Sequence, residues 1–445
     1  MEPASFRTGA GFALLVTGLL AAACAAPGDD SPELPAPRAA AEFKAASTVD
    51  ETLRRHRAVP TKTAWWDAVG EQLAWSHRNV HQIAPSVNVY RDGPVRPLAR
   101  RPLQEIAEFP VETPDGTLGY RRFLDSEHST TMGMVIVHRG NIVFEAYPRM
   151  QPYEKPIFWS VTKVLTSTVL AILEDRGEVD VSESVETYIP ELVGTQLAGI
   201  TLRNALDMAS GIDCSDAYAD AASCWNHMES TLGNGLAIET PEDNPYDMAI
   251  NFDYGYWAEQ GAGFDYASLN TVLIGWVIEK LTGMPFQDAL TREVWMRIGA
   301  EADASIFAGR NGIPLVAGGL MANVRDVARF GTLFTPSHRV VSDRKIISDR
   351  YVDLILHGGR PELIENSRTP RSTKGVRHNV YQWDVFDNDD FYKGGWGGQG
   401  LLINPERDYA AAYAGYIKDA EGSEMDPLPV LRQVLEGVFG AVTSP

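Results

Sequence analysis

The sequence predicts an α+β fold, in which an antiparallel sheet flanked by helices is built from both ends of the chain, around a mostly α-helical inserted lobe. Strand patterns rich in apolar and aromatic residues lie at about 132–147 and return at 381–416. Between them, from about 160 to 334, apolar residues recur mainly at helical spacing. Strands grouped apart from helices are typical of α+β folds, and a cleft between two such lobes would hold a site.

These patterns also predict the domain limits. We expect a catalytic domain at 51–440, with an α/β lobe made from 51–158 and 335–440 and a helical lobe at 159–334. With 445 residues, of which 44% are hydrophobic and 22% charged, the chain is long enough for a large core.

The formal net charge of -20 argues against nucleic acid or an anionic membrane surface as a partner, because both bind basic patches. A small-molecule ester, amide or peptide is a more suitable substrate.

The first 24 residues predict an export signal, because Arg7 precedes an apolar run too short to span a bilayer. The sequence Leu20-Ala-Ala-Ala-Cys24 is similar to a lipoprotein box, which would make Cys24 a lipidation site and a membrane anchor. The alternative is plain cleavage without a lipid. Residues 25–50, rich in Ala and Pro, predict a flexible tether. We therefore expect a protein of the periplasm or cell envelope.

Local patterns predict the elements that follow. Aromatic and apolar residues at 61–83 predict one amphipathic helix. Two apolar strands joined through Arg139-Gly-Asn141 predict a hairpin. Helices are then expected at 202–208, 269–281, 285–298 and 324–333, strands at 381–386, 391–393, 400–404 and 409–416, and a closing helix at 427–439.

Ser160 and Lys163 are the first candidate catalytic pair. The residues that follow Ser160 are apolar nearly all round a helix, which predicts a buried helix with both side chains on one face. Burial lowers the pKa of a lysine, and a neutral amine can take the proton of a serine. The alternative is that Ser160 only caps a buried helix. The same spacing recurs at Ser342 and Lys345, where charged neighbours predict an exposed helix start without a reactive role.

Cys214 and Cys224 are close enough in sequence to form a disulfide in an oxidising compartment. The alternative is two unpaired thiols.

Ser160-Val-Thr-Lys163, the segment 201–212 and Tyr266-Ala-Ser268 occur in the order of the motifs of the serine β-lactamase-like superfamily, which the chain resembles from about 132 to 415. This superfamily includes β-lactamases, penicillin-binding DD-peptidases, serine esterases and hydrolases of short amide oligomers. The resemblance implies a β-lactamase/transpeptidase-like fold. It also implies that Tyr266 shares proton transfer with Lys163, and that Ser268 contacts substrate where β-lactamases usually have asparagine.

A third motif can be aligned in two ways. Lys393-Gly-Gly395 would match the Lys-Thr-Gly of the family, and Trp396-Gly-Gly would match the Trp-Gly-Gly of some family esterases. The first alignment is favoured because the two glycines after Trp396 suit a hairpin turn. The Trp396 and Ser160 N–H groups would then form an oxyanion hole, Gly395 would let the backbone approach substrate, and Lys393 would bind substrate. The second alignment would use Gln399, and Lys393 could instead be a solvated charge on an edge strand.

Together these motifs predict an exported serine hydrolase that forms an acyl-enzyme on an ester or amide substrate. The chain has no His-Glu-x-x-His and no Gly-x-Ser-x-Gly sequence, and we expect neither a metal nor a cofactor. The alternatives are a DD-peptidase or β-lactamase within the family, and a catalytically silent lipoprotein that binds the envelope.

Overall fold

The structure is a computed structural model, which describes residues 48–236, 240, 242–368 and 373–440. The predicted export signal at 1–24, the lipidation of Cys24 and nearly all of the tether at 25–50 lie outside the described residues. The first helix begins at Val49, so the last two residues assigned to the tether are helical.

The described residues form helices and strands that follow one another in groups along the chain. The helices are α1 (Val49–Ala58), α2 (Gly70–Arg78), α3 (Val80–Ile83), α4 (Gln104–Ala107), α5 (Tyr120–Asp125), α6 (Thr162–Asp175), α7 (Val185–Tyr188), α8 (Leu202–Leu206), α9 (Cys224–Thr231), α10 (Pro245–Asn251), α11 (Ser268–Thr282), α12 (Phe286–Glu293), α13 (Val324–Thr332), α14 (Asp349–His357), α15 (Pro361–Glu365) and α16 (Pro427–Phe439). The strands are β1 (Ser86–Val89), β2 (Ala99–Arg100), β3 (Pro110–Thr113), β4 (Gly116–Gly119), β5 (Gly133–His138), β6 (Asn141–Ala146), β7 (Ile212–Asp213), β8 (Gly255–Tyr256), β9 (Ala304–Phe307), β10 (Leu320–Met321), β11 (Val376–Val380), β12 (Trp383–Phe386), β13 (Phe391–Gly395), β14 (Gln399–Asn404) and β15 (Tyr409–Ala414).

The main sheet combines both ends of the chain, as the sequence predicts. Its order is β11-β12-β13-β14-β15-β5-β6-β2, and neighbouring strands are antiparallel except β2 and β6. The centre of the sheet pairs β15 with β5, with Ala411 opposite Ile136. The prediction of an α+β fold with an antiparallel sheet is therefore confirmed.

Helices cover both faces of this sheet. Alternate residues of β5 point to opposite sides: Val135 and Val137 pack with α6, α11 and α13, while Met134 and Ile136 pack with α5 and α16. Helix α16 buries Leu431, Val434 and Leu435 among others. Each buried aliphatic side chain of this kind contributes about 1.5–3 kcal/mol, which holds the end of the chain against the sheet.

Two predicted turns are confirmed. Arg139 and Gly140 join β5 to β6 with φ of 47° and 72°, the left-handed pair that a two-residue hairpin favours. Gly397 and Gly398 join β13 to β14 with φ of 78° and 89°, so the sequence from Lys393 to Gly395 lies on the strand before the turn.

The single helix predicted at 61–83 is wrong. Helices begin only at Gly70 and, after a break at Asn79, at Val80. The aromatic residues before Gly70 are buried for another reason: the Trp65 and Trp66 indoles both donate hydrogen bonds to Asn234. Tertiary contacts, and not helical periodicity, produce this pattern.

The exposed helix start predicted at Ser342 is also wrong. Ser342 is 2% exposed and lies outside any helix, and helix α14 begins seven residues later, at Asp349. The lysine of this segment, Lys345, pairs with Asp349 at the surface.

The sequence missed several parts of the fold, among them the two-stranded sheets β3-β4 and β7-β8. Strand β11 extends the main sheet beyond β12, and β1, β9 and β10 form a small separate sheet that links the segment before the main sheet to the helical segment. Within the described residues, no helix has the length and apolar character needed to cross a bilayer.

Candidate active site

Ser160 lies in a 3₁₀ turn, Trp159–Val161, immediately before α6. Trp159 has φ of 43°, a left-handed conformation that is costly for a bulky residue. The turn is held from both sides, because the Thr162 hydroxyl donates to the Trp159 carbonyl at 2.6 Å and the Phe158 N–H donates to the Leu320 carbonyl at 2.7 Å. Such strain, retained by surrounding contacts, is typical of functional sites.

Lys163 lies one helical turn after Ser160 and is 1% exposed. Its Nζ atom is 3.2 Å from Ser160 Oγ, 2.8 Å from Ser268 Oγ and 2.8 Å from the Ala317 carbonyl oxygen. A neutral amine has two N–H donors and one lone pair. Ser268 and Ala317 can accept the two donors, which leaves the lone pair for the proton of Ser160.

Burial lowers the pKa of Lys163, and the carboxylates of Asp216 and Glu229 oppose this effect. The direction matters because only the neutral amine can act as a base. The pair therefore has both the distance and the electrostatic surroundings for serine activation.

Ser268, at the start of α11, connects Lys163 to Asp216. Its hydroxyl accepts a hydrogen bond from Lys163 and donates to Asp216 Oδ2 at 2.7 Å, while its backbone N–H donates to Asp216 Oδ1 at 2.7 Å. Desolvation raises the pKa of Asp216, and the Lys163 charge and these hydrogen bonds lower it. The sequence did not identify Asp216 as part of this network.

Tyr266 is partly buried, and its ring lies close to two lysines. The Nζ atom of Lys163 is 5.0 Å from the ring centroid, and that of Lys393 is 4.7 Å from it. Lys393 is 2% exposed on β13, which is paired on both sides, so the alternative of a solvated edge-strand lysine is wrong. The structure therefore brings Tyr266 and Lys393 to the same cluster as Lys163.

The end of β13 lies directly against the Ser160 turn. A Cβ atom at Gly395 would stand 2.4 Å from the Phe158 carbonyl oxygen and 3.1 Å from Trp159 Cβ. Only glycine permits this approach. The close contact that requires Gly395 is thus with the serine turn, and it brings Trp396 beside Ser160 in the lining of one pocket.

The pocket that opens on Ser160 has about 380 Å³ of empty space, which includes solvent at its open mouth. Indole rings form much of its wall: those of Trp159 and Trp396 are 5.7 Å apart and nearly perpendicular, and Trp66 lies 5.2 Å from Trp396. Trp225 completes the indole wall. Side chains of this kind suit a small substrate with an apolar body.

Two carboxyl groups line the same pocket, Asp216 and Glu229. Glu229 is 2% exposed, and burial raises its pKa to about 7, although the Asn234 amide donates a hydrogen bond to it. The sequence analysis missed Glu229, because a single acidic residue in a helix gives no periodic or motif signal. For Asp216 a signal existed: it lies between the two cysteines.

Cys214 and Cys224 are joined by a disulfide, with their Cα atoms 5.0 Å apart. The bridge closes a loop that carries Asp216 and Tyr218 into the pocket lining. Asn270, two residues after Ser268, is buried and donates to the sulfur of Met208, and it is not part of the lining. Among the described residues, no group of three or more His, Cys, Asp or Glu side chains is arranged to hold a metal ion.

Comparison with known proteins gives a family match over most of the chain. The model of the family described as Beta-lactamase matches residues 120–422. This segment contains the Ser160 turn, Tyr266 and the hairpin of β13 and β14.

Individual proteins and structures similar to this chain are consistent with the family match. A 6-aminohexanoate-dimer hydrolase of Paenarthrobacter ureafaciens is 27% identical over 355 residues, which cover 78% of this chain and 86% of that protein. A structure of a putative 6-aminohexanoate-dimer hydrolase from Bacillus anthracis superposes with a TM-score of 0.71 at 21% identity, covering 86% of this chain and 97% of that chain. A structure of a putative beta-lactamase from Bacteroides dorei has a TM-score of 0.54 at 17% identity over 72% of this chain and 96% of that chain. The two structures support the fold.

Proposed function

We propose that this chain, a hydrolase that belongs to the Beta-lactamase family, cleaves an ester or amide bond of a small substrate through an acyl-enzyme on Ser160. The observation that carries the proposal is the 3.2 Å contact between Ser160 Oγ and the buried Lys163 Nζ. In this geometry a neutral lysine can take the serine proton as the hydroxyl oxygen attacks.

In both acylation and deacylation, side chains of this protein carry the protons. Ser160 Oγ forms a bond to the substrate carbonyl carbon, and its proton passes to Lys163, with Tyr266 as the second proton carrier. The tetrahedral intermediate then breaks its bond to the leaving amine or alcohol, which receives that proton. Water attacks the acyl-enzyme in the same way, and Ser160 regains a proton as the acid product leaves.

We propose that the backbone N–H groups of Ser160 and Trp396 bind the oxyanion. The support is the close approach of β13 to the serine turn at Gly395, and the fact that both residues line the same pocket. Two N–H donors aimed at the developing charge stabilise a tetrahedral intermediate by several kcal/mol.

For the substrate, we propose a small amide or ester with an ammonium group. The pocket beside Ser160 has two carboxyls, Asp216 and Glu229, and an indole wall, and ammonium groups bind to carboxylates and aromatic faces. The relative from Paenarthrobacter ureafaciens is named for a linear amide that carries an amine at one end and a carboxylate at the other. Lys393, beside Tyr266, would bind a carboxylate.

We further propose that the protein is exported and acts in the periplasm or cell envelope. The support is the apolar run that precedes Cys24 in the sequence. The Cys214–Cys224 bridge agrees with an oxidising compartment. Incorporation of labelled palmitate would test whether Cys24 carries a lipid, and a mature chain that begins at another residue would contradict that part of the proposal.

The central experiment is labelling with a fluorophosphonate, which phosphonylates activated serines: the serine oxygen attacks phosphorus, as it is proposed to attack the carbonyl carbon, and displaces fluoride. We expect label on Ser160 in the wild type, and loss of both label and turnover in Ser160→Ala, by a factor on the order of 10³ or more. Ser342→Ala is the matched control and should behave as the wild type. Label on Ser342, or full activity in Ser160→Ala, would contradict the proposal.

The ammonium site can be tested by pH. Because the pKa of Glu229 is raised to about 7, its carboxylate forms as pH rises through that value. KM for the amide of an ω-amino acid should therefore fall between about pH 6 and about pH 8, over which an ω-amine, like that of lysine, stays protonated. In Glu229→Gln this change should vanish, and KM for p-nitrophenyl acetate should not depend on the substitution. An unchanged KM profile in Glu229→Gln would exclude Glu229 from substrate binding.

A further inference from the structure

His77 is a fully buried histidine on α2 that none of the catalytic motifs contains. Its two ring nitrogens have different partners. The Trp159 indole N–H, which can only donate, donates to Nε2 at 3.1 Å, and Nδ1 lies 3.0 Å from the Gly415 carbonyl oxygen and 3.2 Å from the Gln399 amide nitrogen. A carbonyl can only accept, so Nδ1 carries the proton and Nε2 is the acceptor.

One side of His77 holds the serine turn. Besides the bond to the Trp159 indole, the His77 backbone carbonyl accepts a hydrogen bond from the Ile157 N–H at 2.9 Å. Ile157 lies three residues before Ser160, and Trp159 lies one residue before it. Trp159 is also the residue with the costly positive φ, so the hydrogen bond that its indole donates to His77 stabilises the strained residue of the turn.

The other side of His77 holds the hairpin of β13 and β14. The Trp396 ring packs against the imidazole at 5.9 Å between centroids, nearly perpendicular to it. A Cβ atom at Gly397 would stand 2.8 Å from His77 Cε1, so the hairpin turn lies directly on the ring. Gln399, the first residue of β14, donates to the same Gly415 carbonyl that His77 Nδ1 contacts.

We propose that His77 is a positioning residue that fixes the Ser160 turn and the Trp396 hairpin relative to each other, so that their two backbone N–H groups converge on one oxyanion. The inference rests on the proposed function. The two donors belong to elements far apart in sequence, and His77 contacts both elements through one rigid ring. A displacement of about 1 Å between such donors can cost about 10²-fold in rate.

The test uses three variants of the full chain. His77→Phe keeps the ring but loses both polar contacts, and it should lower kcat by about 10- to 100-fold while KM stays within about two-fold. His77→Gln can place an amide oxygen near the Nε2 position and should recover part of kcat. Trp159→Phe removes the indole donor, and adding it to His77→Phe should cost little more than either change alone.

His378→Phe is the control for general destabilisation. It alters another buried histidine, on β11, that contacts the Ile355 carbonyl and does not line the pocket. We expect it to lower Tm without lowering kcat at a temperature where it is folded. A peptide boronic acid, which forms a tetrahedral adduct with an activated serine, should lose affinity in His77→Phe in proportion to the loss of kcat/KM.

The outcomes separate the two proposals. If the wild type takes no fluorophosphonate label on Ser160, the proposed function fails and the role of His77 fails with it. If the wild type is labelled but His77→Phe keeps its kcat, or if His77→Phe and Trp159→Phe effects multiply, only the role of His77 is overturned.

Discussion

Ser160 to Lys163 and Ser342 to Lys345 have the same spacing, but their surroundings are reversed. In the first segment the lysine is 1% exposed and the serine opens on the pocket. In the second the serine is 2% exposed, and the lysine side chain is 40% exposed and paired with Asp349. Serine activation needs a desolvated amine next to an accessible hydroxyl, and a Ser-x-x-Lys sequence supplies neither by itself.

Replacing the lysine of each segment by methionine should give the largest difference in activity between the two segments. Lys163→Met should lower turnover by a factor on the order of 10² or more, because it removes the base that contacts Ser160, whereas Lys345→Met removes only a surface ion pair. Steady-state kcat/KM on one activated ester measures both. An equal loss in the two variants would show that burial does not distinguish the segments.

Tyr266→Phe should also cost about 10² in turnover, since its phenol is proposed to act with Lys163 as one proton carrier. The double variant Lys163→Met/Tyr266→Phe should be no slower than about the worse single variant. Multiplication of the two effects would instead mean that each acts alone.

Lys393 is a second buried lysine, and it has no serine three residues before it. Its proposed task is to bind a carboxylate, with a charge-assisted hydrogen bond worth roughly 1.5–3 kcal/mol. Lys393→Ala should therefore slow a carboxylate-bearing amide by about 10- to 100-fold and leave p-nitrophenyl acetate near wild type. Equal losses on both substrates would assign Lys393 a structural role and favour the alternative alignment of the third motif.

The smallest expected effect on activity comes from removing the disulfide that closes the loop beside the Ser160 pocket. The Cys214–Cys224 bridge closes a loop with a separation of 10 residues, for which chain entropy predicts about 3 kcal/mol of stability. Cys214→Ser with Cys224→Ser should lower Tm and raise KM a few-fold as Asp216 becomes less well held. A reductant should do the same to the wild type and should not affect the double variant. An unchanged Tm in both would remove the bridge as a support of the pocket.

The sequence predicted the elements whose signal is local. The hairpin at Arg139 and Gly140 and the helix at 427–439 follow from turn chemistry and periodicity, and the structure has both. The residues chosen for the site, Ser160, Lys163, Tyr266, Ser268 and Lys393, were found by motif order, and the structure brings them into one cluster.

What the sequence could not predict depends on contacts between distant segments. In the sequence, Trp65 and Trp66 fit one face of a helix. In the structure they are buried because their indoles bind Asn234, which lies more than 160 residues later in the chain. Glu229 lines the pocket only because the folded chain brings it there. His77 gains its place beside the serine turn only through its contacts with Trp159 and Gly415. A single sequence carries no local signal of such pairings.

The indole wall has a practical consequence. Four of the ten tryptophans of the chain line the Ser160 pocket, Trp66, Trp159, Trp225 and Trp396, and the Trp65 ring stacks on that of Trp159 at 5.4 Å between centroids. Their rings are close enough to exchange excitation, so a ligand that touches one of them changes the ultraviolet emission of the whole group. Stopped-flow fluorescence could therefore time acylation and deacylation at Ser160 separately, with natural substrates that carry no chromophore.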